Sequence, residues 1–351
     1  MRYYKLFVLT VLITFFLSCG SESENPNDLF VVVIKEAKKS YKTSDNLNVS
    51  VQNKKNKSIA SISFSIDGDS PVISEGNSAK DIALTNEKMG KHEVTATINS
   101  DGETFTISKE IVITATETPT LYGYRILESY PHDINAFTQG LEFENDTLYE
   151  STGQRKKSTL RKTNYQTGEV LKKLPLEDQF FAEGITILQD KIYQLTWQRK
   201  TGFIYDLHSF EKTGSFVYGS SKEGWGLCND GTSIFKSDGT EKIWSLDPTT
   251  LAEKGHIELY TNTSKIPKVN ELEWVDGKIY ANIWQKDAIA IVNPTNGAVE
   301  GVIDMKGLQA QVTQHETLDV LNGIAYNGEP NILYVTGKNW DKLFKIEVVA
   351  K

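Results

Sequence analysis

FTQGLEFENDTLYESTG at 137–153 is the first of five related stretches. Its counterparts are FAEGITILQDKIYQLTWQ (181–198), GWGLCNDGTSIFKSDGT (224–240), NELEWVDGKIYANIWQ (270–285) and LNGIAYNGEPNILYVTGK (321–338). In each, a small or acidic turn leads into an apolar pair, a short gap and a second run of strand formers. The aligned positions Gly140, Gly184, Gly226, Glu271 and Gly323 stand 44, 42, 45 and 52 residues apart. Self-similarity at such a period marks an array of repeated units. GFIYDLHSFEKTGSFVYG (202–219), IWSLDPTTLAEKGHIEL (243–259) and AIAIVNPTNGAVEGVIDM (288–305) each add two more strands around a turn. Four strands in about 45 residues make one propeller blade. Residues 121–351 are therefore expected to form a five-bladed β-propeller in an all-β chain.

The way the ring closes is also readable. KLFKIEVV (342–349) supplies the third strand of the last repeat, and YGYRILESYP (122–131) matches blade-closing strands such as GEVLKKLPL (168–176). An upstream strand that completes the last blade leaves no open sheet edge. A closed ring of this size buries enough core to be stable without disulfides or metal.

Upstream of the repeats, residues 29–117 are rich in β-branched residues at alternating positions. LNVSVQ (47–52), SISFSID (61–67), HEVTATIN (92–99) and EIVITAT (110–116) read as strands, with turn signals at Asp67-Gly68, Gly76-Asn77 and Asp101-Gly102. Short, evenly spaced strands over this length predict a small immunoglobulin-like β-sandwich, a spacer or docking module. Asp45, Asp67 and Asp69 are read as turn formers rather than calcium ligands. Glu117-Thr118-Pro119-Thr120 is the linker to the propeller.

The N-terminus reads as an export signal. Arg2 and Lys5 precede an apolar run from Leu6 to Leu17, shorter than the ~20 residues a membrane span needs. Phe16-Leu17-Ser18-Cys19-Gly20 resembles a bacterial lipobox, which implies cleavage before Cys19 and lipidation of its thiol. Residues 1–19 are then a signal peptide, 20–28 a flexible acidic tether, and the chain a lipoprotein of the cell envelope, on the outer membrane or the periplasmic face. A plain secretory signal is the alternative. Cys228 is the only other cysteine, so a lipidated Cys19 leaves no internal disulfide. The net charge of −8 excludes the basic field that nucleic-acid binding requires.

In a propeller the first strand of each blade lines the channel, and an antiparallel partner returns its end to the same face. Gln139, Glu183, Trp225, Asn270, Glu271 and Asn322 stand before strand one, and Trp197, Trp284 and Lys338 follow strand two. Indoles around a carboxylate, an amide and an ammonium suit a small polar ligand. The histidines (His92, His132, His208, His256, His315) lack metal-binding spacing, and no nucleophile elbow or phosphate loop is present.

FTQGL, FAEGIT, LTWQ, GWGL, NELEW, ANIWQ, LNGIAY and VTGK, in this order, resemble the plant-type glutaminyl-peptide cyclotransferases. The resemblance covers 121–351 and departs only at Cys228, where a small residue is usual. It implies a five-bladed propeller that converts N-terminal glutamine of peptides or proteins to pyroglutamate with release of ammonia. It implies Glu183 as the key catalytic group, with the matched Trp, Asn, Gln and Lys positions lining the pocket. Lys338 and Asn270 are expected in catalysis, and Phe137, Gln139, Trp197, Trp225, Trp284, Glu271 and Asn322 in substrate binding. No cofactor or metal is expected, because the substrate's own amine is the nucleophile, and the chain is expected to act as a monomer.

Two other readings use the same architecture, since propellers host many functions. One is a binding module for a peptide or glycan. The other is a metal-dependent lactonase or hydrolase in which Glu183, Asn270, Glu271 and Asn322 converge on a cation.

Overall fold

The computed structural model describes residues 24–351. The expected signal peptide, Cys19 and residues 20–23 of the tether lie outside the described residues. The rest of that tether is not extended throughout. Asn25 caps a single helical turn, Pro26–Leu29, its side chain accepting from Asn27 N at 3.1 Å. Leu29 is buried in the module that follows.

Two sheets enclose one core in the N-terminal module. Phe30–Ile34, Asn46–Asn53 and Lys80–Ala83 form the first. The second runs Tyr41–Lys42, Glu103–Thr114, Gly90–Ser100, Ile59–Ile66, Asp69–Glu75. Burial alternates along Gly90–Ser100, as it must when one face packs and the other meets water. Phe30, Leu47, Phe64, Val94, Ile98 and Ile113 fill the space between the sheets. Asp45 does turn chemistry, accepting from Lys42 N at 2.8 Å, while Asp67, left-handed at its own turn with φ 49°, accepts from Glu93 N of the neighbouring strand at 2.8 Å.

Five four-stranded antiparallel units follow. The first three are separate sheets built from strands between Thr138 and Pro175, Ala182 and Val217, and Leu227 and Glu258. The fourth spans Val269–Asp304. The fifth uses Leu321–Ala325, Ile332–Gly337, Lys342–Ala350 and, as its outer strand, Thr120–Pro131. That upstream strand pairs antiparallel with Lys342–Ala350 from Pro131 to Tyr122, the closure expected from the repeats. It also does something the repeats did not announce. Thr120–Tyr122 pairs in parallel with Gly301–Ile303, so the fourth and fifth units share one eight-stranded sheet. The innermost strands neighbour one another in order, and the fifth returns to the first. The units are five blades of a closed ring.

Backbone contact, rather than side chains, brings the inner strands together on one side of the axis. A Cβ on Gly184 would lie 2.7 Å from Gly226 Cα, and one on Gly226 would lie 2.2 Å from the Asn270 carbonyl oxygen. Only glycine tolerates that approach. Elsewhere carboxylates span the gap: Glu142 accepts from Ile187 N, Glu271 from Ile324 N and Glu273 from Tyr326 N, at 2.8–3.0 Å. Burial pushes Glu142 up to about 8, and Glu271 and Glu273 well above the ordinary carboxylate range.

A buried ionic cluster locks the closing strand to the first blade. His132 lies between the Trp340 carbonyl and Glu150, at 2.8 and 3.1 Å, and Thr138 Oγ1 donates to Glu150 at 2.7 Å. Arg161 stands 3.8 Å from the same carboxylate and bonds Asp133. Glu150→Ala strips His132 and Arg161 of a shared buried partner, and the expected loss of unfolding free energy is about 3–5 kcal/mol. Urea denaturation measures it, and a loss within about 0.5 kcal/mol of zero contradicts this role.

Candidate active site

Four of the five innermost strands carry a β-bulge at one end. The displaced residues are Gln139, Glu183 with Gly184, Asn270 with Glu271, and Asn322 with Gly323. A bulge breaks the in–out alternation and re-aims a side chain. That is how neighbouring blades turn a polar residue toward the face of the ring instead of along its channel. The ends of the second strands are turned the same way. Gln285 and Asn339, directly after Trp284 and Lys338, take left-handed φ values of 63° and 61°.

Phe137, Gln139, Glu183, Trp197, Trp225, Asn270, Trp284 and Lys338 line one cavity of about 380 Å³, together with Phe181 and Asp319. Its walls are aromatic. Trp225 meets Trp284 edge to face at 5.7 Å, and Phe181 bridges Phe137 and Trp197 at 6.1 and 5.7 Å between ring centres. Glu271 and Asn322 do not line this cavity, contrary to the expectation that they bind substrate. Glu271 is turned along the channel to cap Ile324 N. Asn322 lies behind Gln139, donating to Thr138 O at 3.0 Å and Gln139 Oε1 at 3.3 Å. Asn322 therefore orients an amide that faces the cavity. Of the four residues that a lactonase-type cation site would draw on, Glu183 and Asn270 line this cavity and Glu271 and Asn322 do not. Among the described residues no group of three or more His, Cys, Asp or Glu is placed to hold a metal ion.

Beside Gln139 and Asp319, three polar groups that face this aromatic space carry its chemistry. Glu183 is 3 % exposed and its Oε2 has no hydrogen-bond partner, and the buried Oδ1 of Asn270 has none either. Lys338, 5 % exposed, holds its Nζ 5.0 Å from the centre of the Phe137 ring. Burial pushes Glu183 well above the ordinary carboxylate range, against the opposing pull of Lys338 and with a smaller push from Glu223. Burial lowers Lys338, and the charges of Glu183 and Asp319 act against that. Buried polar groups left without partners are rare in folded proteins, and a set converging on one space marks a ligand site.

Glu223 is the functional residue that motif spacing missed. One of its carboxylate oxygens accepts from both Trp197 Nε1 and Trp225 Nε1 at 2.8 Å, fixing two walls from two blades. Its loop is anchored from below. The fully buried Lys236 donates to Ser221 Oγ and to the Glu223 carbonyl, the latter at 3.2 Å, and pairs with Glu253 at 3.3 Å. Ser237 ties the next turn, accepting from Gly226 N at 2.7 Å and donating to Asn270 O at 2.6 Å. The signal in the sequence was an acidic residue two places before Trp225, unremarkable without the fold.

A profile describing glutamine cyclotransferases matches residues 94–348, most of the chain and all the cavity residues. The chain belongs to the glutamine cyclotransferase family. It is 40% identical over 227 residues to a glutaminyl-peptide cyclotransferase of Arabidopsis thaliana, covering 64% of this chain and 70% of that protein. The crystal structure of Myxococcus xanthus glutaminyl cyclase superimposes with a TM-score of 0.61 at 33% identity, covering 66% of this chain and 99% of that one. The cyclotransferase profile reaches upstream of the propeller into the strand Gly90–Ser100 of the N-terminal module.

Proposed function

We infer that this cavity cyclises the N-terminal glutamine of peptides, forming pyroglutamate and ammonia. The observation that carries the reading is the unpartnered Glu183 carboxyl group, raised by burial and enclosed by indoles beside Lys338 and Asn270. In the reaction the α-amine attacks the carboxamide carbon of its own side chain. Aromatic walls that hold the folded-back conformer replace an entropic search with a fixed geometry. The amide ion is a poor leaving group, so the proton leaving the amine must reach the departing nitrogen. Glu183 takes that proton as base and returns it as acid, and ammonia departs. The Lys338 ammonium or the N–H donor of the Asn270 amide stabilises the oxyanion of the tetrahedral intermediate. Gln139, held by Asn322, and Asn270 orient the amine and the carboxamide. The test is ammonia release from Gln-Ala by the full protein, with and without chelator. Absence of turnover defeats the reading, and turnover abolished by chelator favours a metal hydrolase instead.

The shift at Glu183 sets a pH dependence. In acid both the α-amine and Glu183 carry protons and no base remains. The acid limb of kcat/KM is therefore expected well above ~4.3, where an ordinary glutamate titrates. Lys338 stabilises the charged form of Glu183. Removing it in Lys338→Met raises Glu183 further and moves the acid limb to higher pH. A limb that stays in place or moves down contradicts the electrostatic role of Lys338.

We further propose that the N-terminal segment exports the chain and that lipid on Cys19 holds it at the cell envelope, the monomeric propeller projecting on its N-terminal module. The lipobox-like sequence supports this reading. Partition of the protein into detergent, lost in Cys19→Ala, tests it.

A further inference from the structure

Beside the cavity lies a second hollow of about 400 Å³, lined by Ile266, Pro267, Ile283, Ala288, Ala290 and Val302 among others. Its walls are almost wholly apolar. Trp284 lines both spaces. Two lysines stand at its rim. Lys268 reaches over the Trp284 ring at 4.7 Å and bonds Gln285 at 3.0 Å, and Lys286 is exposed beside it. The catalytic reading gives this hollow no task.

The wall formed by Ile266 to Lys268 is held from outside the propeller. Tyr260, at the start of that loop, is buried in the core of the N-terminal module. Ala115 N donates to Thr261 O at 3.3 Å, and Asn262 Nδ2 to Thr118 Oγ1 at 2.7 Å. Lys42 Nζ donates to Asn262 O and, at 3.1 Å, to Ala115 O. Within the loop, Ile266 N bonds Leu259 O at 2.8 Å and Trp284 N bonds Lys268 O at 2.9 Å. A loop fixed at both ends presents a preformed wall, and a preformed site loses little entropy on binding.

We propose that this hollow is a subsite for an apolar side chain at the second or third residue of the substrate peptide. The inference rests on the cyclotransferase reading of the neighbouring cavity. A glutaminyl residue in that cavity must send the rest of its chain past the rim. Two residues of extended chain reach about 7 Å, enough to pass the edge of an indole. The hollow then takes the apolar side chain, and the rim lysines face the peptide carbonyls and any carboxylate that follows. The occupant follows from this continuity with the site and from the cationic rim.

The test compares kcat/KM of the full protein for Gln-Gly-Gly, Gln-Leu-Gly and Gln-Gly-Leu. Leucine at one of the two positions is expected to raise kcat/KM by about tenfold over glycine, the scale of a filled apolar pocket. Ala288→Leu fills the hollow and Val302→Thr makes its wall polar. In either variant that folds, the leucine-to-glycine ratio is expected to fall toward one. Equal turnover of the three peptides overturns the subsite and leaves the cyclotransferase reading standing, as does a preference that survives both variants. Failure of all three peptides removes the reading on which the subsite rests. Sedimentation as a dimer that Ala288→Leu dissociates also overturns it, because the hollow is then an interface between copies.

Discussion

Glu183→Gln is expected to fold as the parent does and to lose about 10²–10⁴-fold in kcat/KM for a glutaminyl dipeptide. The substitution keeps the size and planarity of the side chain. It adds no strain, since the parent carboxyl group makes no hydrogen bond through Oε2 that the amide would break. What it removes is the capacity to accept a proton and return it. Binding and orientation by the aromatic walls remain, so KM is expected to change little while kcat falls. The pH profile separates this role from a structural one, since the acid limb assigned to Glu183 disappears from whatever activity persists. Near-parent turnover in the folded variant refutes the proton shuttle.

The second large effect is expected at Glu223, which does not line the cavity. Glu223→Ala leaves the indole N–H groups of Trp197 and Trp225 without their acceptor and frees two walls to rotate. Misplacement on the scale of an ångström costs about 10²-fold in a reaction that depends on orientation. Glu223→Gln keeps an oxygen that accepts from the indoles, so it is expected to recover most of that loss. The charge is absent in both variants. Because Glu223 helps to raise Glu183, the acid limb moves to lower pH in both. Recovery of rate without recovery of the limb is a signature that general destabilisation does not produce. An unchanged kcat/KM in Glu223→Ala contradicts the positioning role.

The two variants also mark what was legible before the structure. Glu183 was readable because it stands at one position of a repeating motif, and the repeat supplied the frame. Glu223 lies in the same GWG-bearing stretch, yet nothing in its spacing set it apart from a solvated acid. Its importance comes from a carboxylate oxygen meeting indoles from two blades. Glu271 and Asn322 show the converse error. Asn322 shares the motif position of Gln139, Glu183 and Asn270, and Glu271 stands one place on, where the other repeats have glycine. At these bulges, however, Glu271 turns to Ile324 N and Asn322 lies behind Gln139. One residue of register exchanges the two faces of a strand, and repeat alignment does not resolve register at a bulge. The parallel pairing of Thr120–Tyr122 with Gly301–Ile303 was equally invisible, because it belongs to neither blade's own pattern.

The stretch at 137–153 and its four counterparts determined by themselves the strand content and the period, 122–131 and 342–349 the closure, and the ordered motif residues the family resemblance. Strand content and period are properties of alternation and spacing, written locally and repeated five times. The tertiary structure decided which motif residues face one space and that Glu223 and Asp319 join the site. It also decided that the N-terminal module holds the loop beside Trp284. Those are contacts between residues far apart in the chain, set by bulges and by glycine approach at Gly184 and Gly226. Such long-range geometry is fixed only when the ring closes.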